Sequence, residues 1–154
     1  MKTISSRQIG EMLAAAESSP RKRSHIIVHE SHQEPVQRIM IGLKRGTYVR
    51  PHRHATVGEF GVVISGHCSL LCFDDDGNVT SRHEMGPAQQ TSAYDLKENE
   101  WHSLIVMSDE AVFFECKAGP FDPDNASEFA DWALPEGDPG VPDYLDRMTT
   151  AQPG

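Results

Sequence analysis

The sequence predicts an all-β domain, a sandwich or barrel of short strands with one helix before it and one short helix after it. Three observations predict this. Residues 6–18 carry a helical apolar stripe. From His25 to Lys117 the chain then breaks into short apolar or alternating runs separated by turn-forming residues, the spacing of strands. Residues 125–133 return to an amphipathic helical pattern. Nothing repeats internally, and 154 residues suffice for one core without metal or disulfide staples.

In the first element, Ile9, Met12, Leu13 and Ala16 share one face, Ser5 or Ser6 caps the start, and Ser18-Ser19-Pro20 ends the helix. Strands are expected near residues 25–29, 36–43, 47–52, 59–64, 68–73, 79–85, 90–93, 103–107 and 112–117. Asp74-Asp75-Asp76-Gly77-Asn78 is a hairpin loop. The closing Glu and other ligands of a calcium loop are absent from it. Asn125–Ala133 reads as a helix with Phe129, Trp132 and Ala133 on its apolar side. Beyond Leu134, Pro, Gly and Asp predict an extended tail. The chain therefore divides into a helical segment (1–20), a β-barrel (21–120) and a C-terminal helix with tail (121–154).

A formal net charge of −9 argues against nucleic acid as a partner. No apolar run is long enough to cross a bilayer, and no charged-then-apolar segment opens the chain, so no membrane partner is expected. Cys68 and Cys72 on one strand face would lie about 13 Å apart, too far for a disulfide. Three cysteines without a framework predict a reducing compartment, the cytoplasm. The charge is uneven: from Gly119 onward there are eight acidic residues and one basic, whereas Arg21, Lys22, Arg23, Lys44, Arg45, Arg50 and Arg53 come earlier. Such arginines suit a phosphate or carboxylate on a small-molecule ligand. Barrels of this size commonly dimerise, so a homodimer is expected.

The most informative stretch runs from Gly46 to Gly66. On a strand, side chains alternate, so His52 and His54 project from one face as neighbours. Gly58 permits a turn that returns Glu59 beside them. Nitrogen and oxygen ligands of this kind suit one divalent transition metal per chain, Zn, Fe, Mn, Ni or Cu. The spacing Gly-x5-His-x-His-x4-Glu-x6-Gly resembles the first motif of the cupin superfamily. The second motif would supply His102, within Lys97-Glu98-Asn99-Glu100-Trp101-His102. The family's Pro and Gly are replaced there by Lys97 and Asn99, and Asn tolerates left-handed backbone. The resemblance implies a single-domain jelly-roll cupin with His52, His54, Glu59 and His102 as metal ligands.

Tyr48-Val49-Arg50-Pro51-His52-Arg53-His54, Trp101-His102-Ser103-Leu104, Gly119-Pro120-Phe121 and Phe129-Ala130-Asp131-Trp132-Ala133 are similar to the WbuC-type cupin metalloproteins. That likeness covers most of residues 20–137 and implies a bacterial surface-polysaccharide (O-antigen) context without specifying a reaction.

The period-2 rule places Tyr48 and Arg50 on the His-x-His face, as residues for substrate and catalysis. Gly61 and Val63 follow Glu59 there, as Leu104 and Val106 follow His102. Glu59 is one partner available to an inward Arg50. His29, in an apolar strand, reads as structural, while His67 and His83 read as exposed. Trp101, opposite in parity to His102, braces its loop. Two functional classes fit: a metal-dependent enzyme, for which the resemblance implies a sugar or nucleotide-linked sugar as substrate and isomerisation or epimerisation as the reaction, with an iron dioxygenase as the alternative, and a non-catalytic small-ligand sensor. A metal-free epimerase site needs a His–Asp base and a Tyr acid, which the four-ligand set argues against.

Overall fold

The computed structural model describes residues 1–154. Helix α1 (Ser6–Ser18) begins at a capping box: the Gln8 N–H donates to Ser5 Oγ, and the Ser5 N–H donates to Gln8 Oε1 at 2.9 Å. Ten strands follow: β1 (Arg23–Ile27), β2 (Val36–Lys44), β3 (His52–Arg53), β4 (Glu59–Ser65), β5 (Cys68–Phe73), β6 (Val79–Met85), β7 (Ala93–Leu96), β8 (Trp101–Val106), β9 (Glu110–Ala118) and β10 (Glu128–Phe129). Helix α2 (Val141–Thr150) closes the chain.

The strands form two five-stranded sheets, ordered β1-β2-β9-β4-β7 and β10-β3-β8-β5-β6, and every ladder between neighbours is antiparallel. The consecutive strands β3 and β4 lie in different sheets. This is a jelly-roll sandwich with helices added, the predicted class.

Alternation sorts side chains into three apolar layers. Leu43, Val63, Leu70, Met85, Leu104 and Phe113 meet between the sheets. Met12 of α1 packs with Met40 and Val112 on the outer face of the first sheet. Gly42 leaves room for the helix there, since a Cβ on it would lie 3.1 Å from Met12 Cε. On the outer face of the second sheet, Leu71, Phe73, Trp101 and Ile105 pack against Ala130, Ala133 and Met148 from the C-terminal segment.

Three expectations need correction. Residues 125–133 are not a helix. Phe129 pairs with His52 and Glu128 with Arg53, so this segment is a short strand across the end of the second sheet. Its apolar residues serve two surfaces, which a helix could not do: Phe129 stays exposed, whereas Trp132 packs on Phe73 at 5.1 Å. The C-terminal helix lies instead in the tail expected to be extended. Val141, Tyr144, Leu145 and Met148 fall at i, i+3, i+4 and i+7, a helical stripe that all packs on the second sheet. Pro142 at its start suits a first helical turn. Finally, the strand expected over 47–52 shortens to β3, because residues 47–51 join no ladder and Pro51 has no N–H to donate.

No helix is long and apolar enough to cross a membrane.

Candidate metal centre

Residues of both sheets line a cavity of about 290 Å3. His52 and His102 reach it as directly paired residues of β3 and β8. His54 follows β3 by one residue. Asn99 shapes the approach to His102: it adopts φ 65°, as expected of an Asn replacing Gly, and its N–H donates to the His54 carbonyl at 2.8 Å. The turn thus ties the two halves of the site together.

The ring centroids of His52 and His102 are 4.4 Å apart, those of His52 and His54 5.1 Å, and those of His54 and His102 5.4 Å. One nitrogen from each ring falls within 4.8 Å of both others. Each ring is held from behind by a backbone carbonyl on Nδ1: Arg50 O for His52 at 2.9 Å, Ala126 O for His54 at 2.6 Å, and Glu100 O for His102 at 2.9 Å. A carbonyl only accepts, so each Nδ1 carries a proton and Nε2 is the nitrogen left for a metal. His102 Nε2 is buried with no hydrogen-bond partner. His54 Nε2 faces Glu59 Oε2 at 3.0 Å, two lone-pair atoms that need a cation or a proton between them. Three anchored imidazoles, one with a buried and unpartnered Nε2, fit a divalent transition metal. Burial, with the neighbouring His102 next, pushes His52 down to about 3, and burial also lowers His102, so both stay neutral and able to donate.

Glu59 reaches this group from the opposite sheet rather than by a local turn. It is outside the set of mutually close donors and is engaged elsewhere. Tyr94 donates its hydroxyl to Oε1 at 2.5 Å, and Lys117 Nζ lies 3.0 Å from Oε2. Lys117 also lies 3.0 Å from Glu115 Oε1. Burial alone would raise the Glu59 carboxyl, but Lys117, His54 and Tyr94 outweigh it and hold the group well below the usual carboxylate range. Burial and the Glu59 charge raise Glu115 instead. Lys117 is raised against its burial by its two carboxylate partners, so it remains an ammonium.

Tyr94, Glu115 and Lys117 were not anticipated. Lys117 and Glu115 share the parity of the core residue Phe113 on β9, so charge at inward positions of an apolar strand was the available signal. Tyr94 gives none, because it lies just past the strand expected over 90–93, which the fold shifts to β7. Its ring lies over Gly61, where a Cβ would come within 2.3 Å of Tyr94 Cζ.

Arg50 lines the cavity as expected. Its partner is the Ala130 carbonyl at 2.8 Å rather than Glu59, its Nε is buried without a partner, and its guanidinium lies 5.2 Å from the centre of the Phe129 ring. Tyr48 is corrected: it does not line this cavity. Its hydroxyl donates to Leu134 O at 2.8 Å, and its ring meets Tyr144 edge-on in the outer layer of the second sheet. Residues 47–51 are not in a ladder, so strict alternation does not run back from His52 to Tyr48. Trp101 faces outward, as its parity predicts, and donates Nε1–H to Asp75 at 2.9 Å. His29 is buried and accepts the Arg38 N–H, a structural histidine. His83 is exposed, whereas His67 is half-buried against Glu84, contrary to expectation.

Solved structures with the same architecture are cupin-fold proteins. KdgF from Halomonas sp. is 16% identical over 69% of this chain and 86% of its own, with a TM-score of 0.54. An oxalate oxidase in complex with the substrate analogue glycolate is 13% identical over 86% of this chain and 67% of its own, at 0.57. The capsular polysaccharide assembling protein CapF from Staphylococcus aureus is 18% identical over 72% of this chain and 32% of its own, at 0.61. At these identities the likeness establishes the fold alone. No match is found among curated proteins. Residues 4–85, more than half of the chain, contain α1, β1 to β6, the His-x-His pair and Glu59, and match the family described as Domain of unknown function (DUF6016), to which this chain belongs.

Proposed function

We propose that the protein is a metal-dependent enzyme acting on a small, anionic, sugar-like molecule by isomerisation or epimerisation. The observation that carries this reading is the anchoring of three imidazoles through Nδ1 on backbone carbonyls, with one nitrogen of each ring within 4.8 Å of the others beside the cavity that His52 and His102 line. When bound, a divalent ion such as Zn, Fe, Mn or Ni supplies Lewis-acid polarisation of a carbonyl or hydroxyl oxygen. The remaining roles belong to the chain. Glu59, a carboxylate 3.0 Å from His54 Nε2, is the base that takes a proton from the carbon beside that oxygen. Tyr94 and Lys117 hold the carboxylate in place. Lys117 stays charged and is not itself a base. Arg50 lies above the Phe129 ring and binds an acidic or hydroxyl group of the substrate.

At about 290 Å3 the cavity is at the lower limit of small-molecule sites, which suits a monosaccharide-sized ligand. Any nucleotide attached to it would sit outside the mouth. The resemblance to WbuC-type proteins and the fold shared with a capsular polysaccharide assembling protein support a role in bacterial surface-polysaccharide metabolism, and three free cysteines suit the cytoplasm.

The test is solvent exchange. The metal-loaded protein is incubated in D2O with a panel of hexoses, ketoses and sugar acids, and followed by NMR. The reading predicts deuterium incorporation at a carbon beside a carbonyl, abolished by Glu59→Gln and by chelation. Binding of a panel member without any exchange would instead make the protein a non-catalytic sensor.

A further inference from the structure

A second charged cluster lines the cavity, apart from the Lys117 group beside the histidines. Arg21, Arg23 and Arg50 all line the cavity that holds His52 and His102; of the three carboxylates that line it with them, Glu59 and Glu115 pair with Lys117, and Glu136 pairs with Arg21 and Arg23. Glu136 makes a two-point contact with Arg21, through Nε to Oε2 at 2.7 Å and Nη2 to Oε1 at 2.9 Å. The same Oε1 also contacts Arg23 Nη2. Arg23 is held at its other end by the Tyr48 carbonyl, which receives Nη1–H at 2.7 Å, and its side chain is only 18% exposed. A planar carboxylate held by two guanidiniums is the geometry with which a substrate carboxylate would bind. Glu136 itself comes from the loop before α2. The next residue, Gly137, has φ 85°, and no atom lies within 4 Å of the position its Cβ would take.

We infer that Arg21 and Arg23, together with Arg50, form an anion subsite for a substrate carboxylate, and that Glu136 occupies it in the free protein as an internal stand-in. The inference rests on the reading of this cavity as the substrate site and narrows the substrate to a sugar acid or similar hydroxy-carboxylate. Binding would exchange one carboxylate for another: the substrate group takes the two guanidiniums, and Glu136 swings into solvent on its Gly137-flanked loop. The cost of displacing Glu136 lowers apparent affinity by the fraction of time the arginines are free of it. The exchange also makes anion binding selective, because a neutral sugar cannot displace the internal ion pair.

The experiment titrates glucuronate, glucose and inorganic phosphate into wild-type protein, Glu136→Gln and Arg21→Gln by calorimetry, with and without added metal. Removing the competing charge at Glu136 should tighten glucuronate binding about tenfold. Arg21→Gln should weaken it by a similar factor, about tenfold. Glucose should respond to neither change. Phosphate responding more strongly than glucuronate would overturn the carboxylate assignment. Unchanged, weaker or undetectable glucuronate binding by a folded Glu136→Gln variant would make Glu136 a structural anchor and end the proposal. Metal content, measured on the same samples, keeps the two readings apart. A chain that takes up no metal yet shows the Glu136→Gln gain loses its proposed reaction, not its anion subsite.

Discussion

Lys117 balances the charges at the cavity floor, lying 3.0 Å from both Glu59 and Glu115. Both carboxylates are nearly inaccessible to solvent, so removing the cation leaves two buried negative charges facing each other. Lys117→Met should therefore cost about 3–5 kcal/mol of unfolding free energy at neutral pH. Adding Glu115→Gln should recover part of that loss, because one carboxylate then remains. Denaturant unfolding of the two single variants and the double variant measures this directly. Strictly additive losses would show that the three groups do not act as one unit. At this scale the sequence was legible where residue type and spacing coincide. His52, His54 and His102 are brought together as their spacing predicts, and Arg50 lines the same cavity. It was misleading at Tyr48, where alternation was extended through Thr47 to Pro51, a stretch that belongs to no strand. It was silent on the carbonyls of Ala126 and Glu100 that fix the imidazoles, since backbone acceptors carry no residue signature.

The elements place these residues through close approaches between strands. β4 and β7 pair Gly61 with Tyr94, and only the missing Cβ of Gly61 lets the tyrosine ring cross to Glu59. Gly61→Ala should displace that ring and cost about 1–3 kcal/mol by overpacking. Gly10→Ala in α1, where nothing lies within 4 Å, should be neutral or stabilising by about 0.5–1 kcal/mol. Thermal melts of the two variants check the contrast, and equal effects would mean that the Gly61–Tyr94 contact does not constrain the fold. Most strand positions were readable, because alternation and turn residues mark them independently of what they pack against. Helix α2 was overlooked for the opposite reason. Its Val141, Tyr144, Leu145 and Met148 stripe lies among Pro, Gly and Asp, whose composition suggested an extended tail. The helix gains its stability from the outer face of the second sheet, and Arg82 donates to Met148 O and Ala151 O at its C-terminal end. Neither partner is local in sequence.

Across the whole molecule, one barrel end is turned into a site by a segment that crosses it. Residues 119–137 supply the Ala126 carbonyl to His54, the Ala130 carbonyl to Arg50, Phe129 to the cavity wall and Glu136 to the arginines at the mouth. Arg53 fastens this segment by a two-point contact with Glu128, at 2.9 and 2.7 Å, and lies 4.2 Å over the Trp101 ring. The sandwich class could be read from strand spacing, but this crossing segment could not, because its backbone contacts follow from the closed fold rather than from any local pattern.

Metal analysis shows whether His52, His54 and His102 hold a metal ion. Protein produced without a polyhistidine tag, loaded with a divalent transition metal and dialysed, should carry one equivalent per chain. Replacing Glu59 should lower affinity less than replacing a histidine, because Glu59 is held by Tyr94 and Lys117. The His54→Ala, His102→Ala double variant should retain essentially none, since one imidazole and a carboxylate hold such an ion weakly. A full equivalent of tightly bound metal in that double variant would contradict the account.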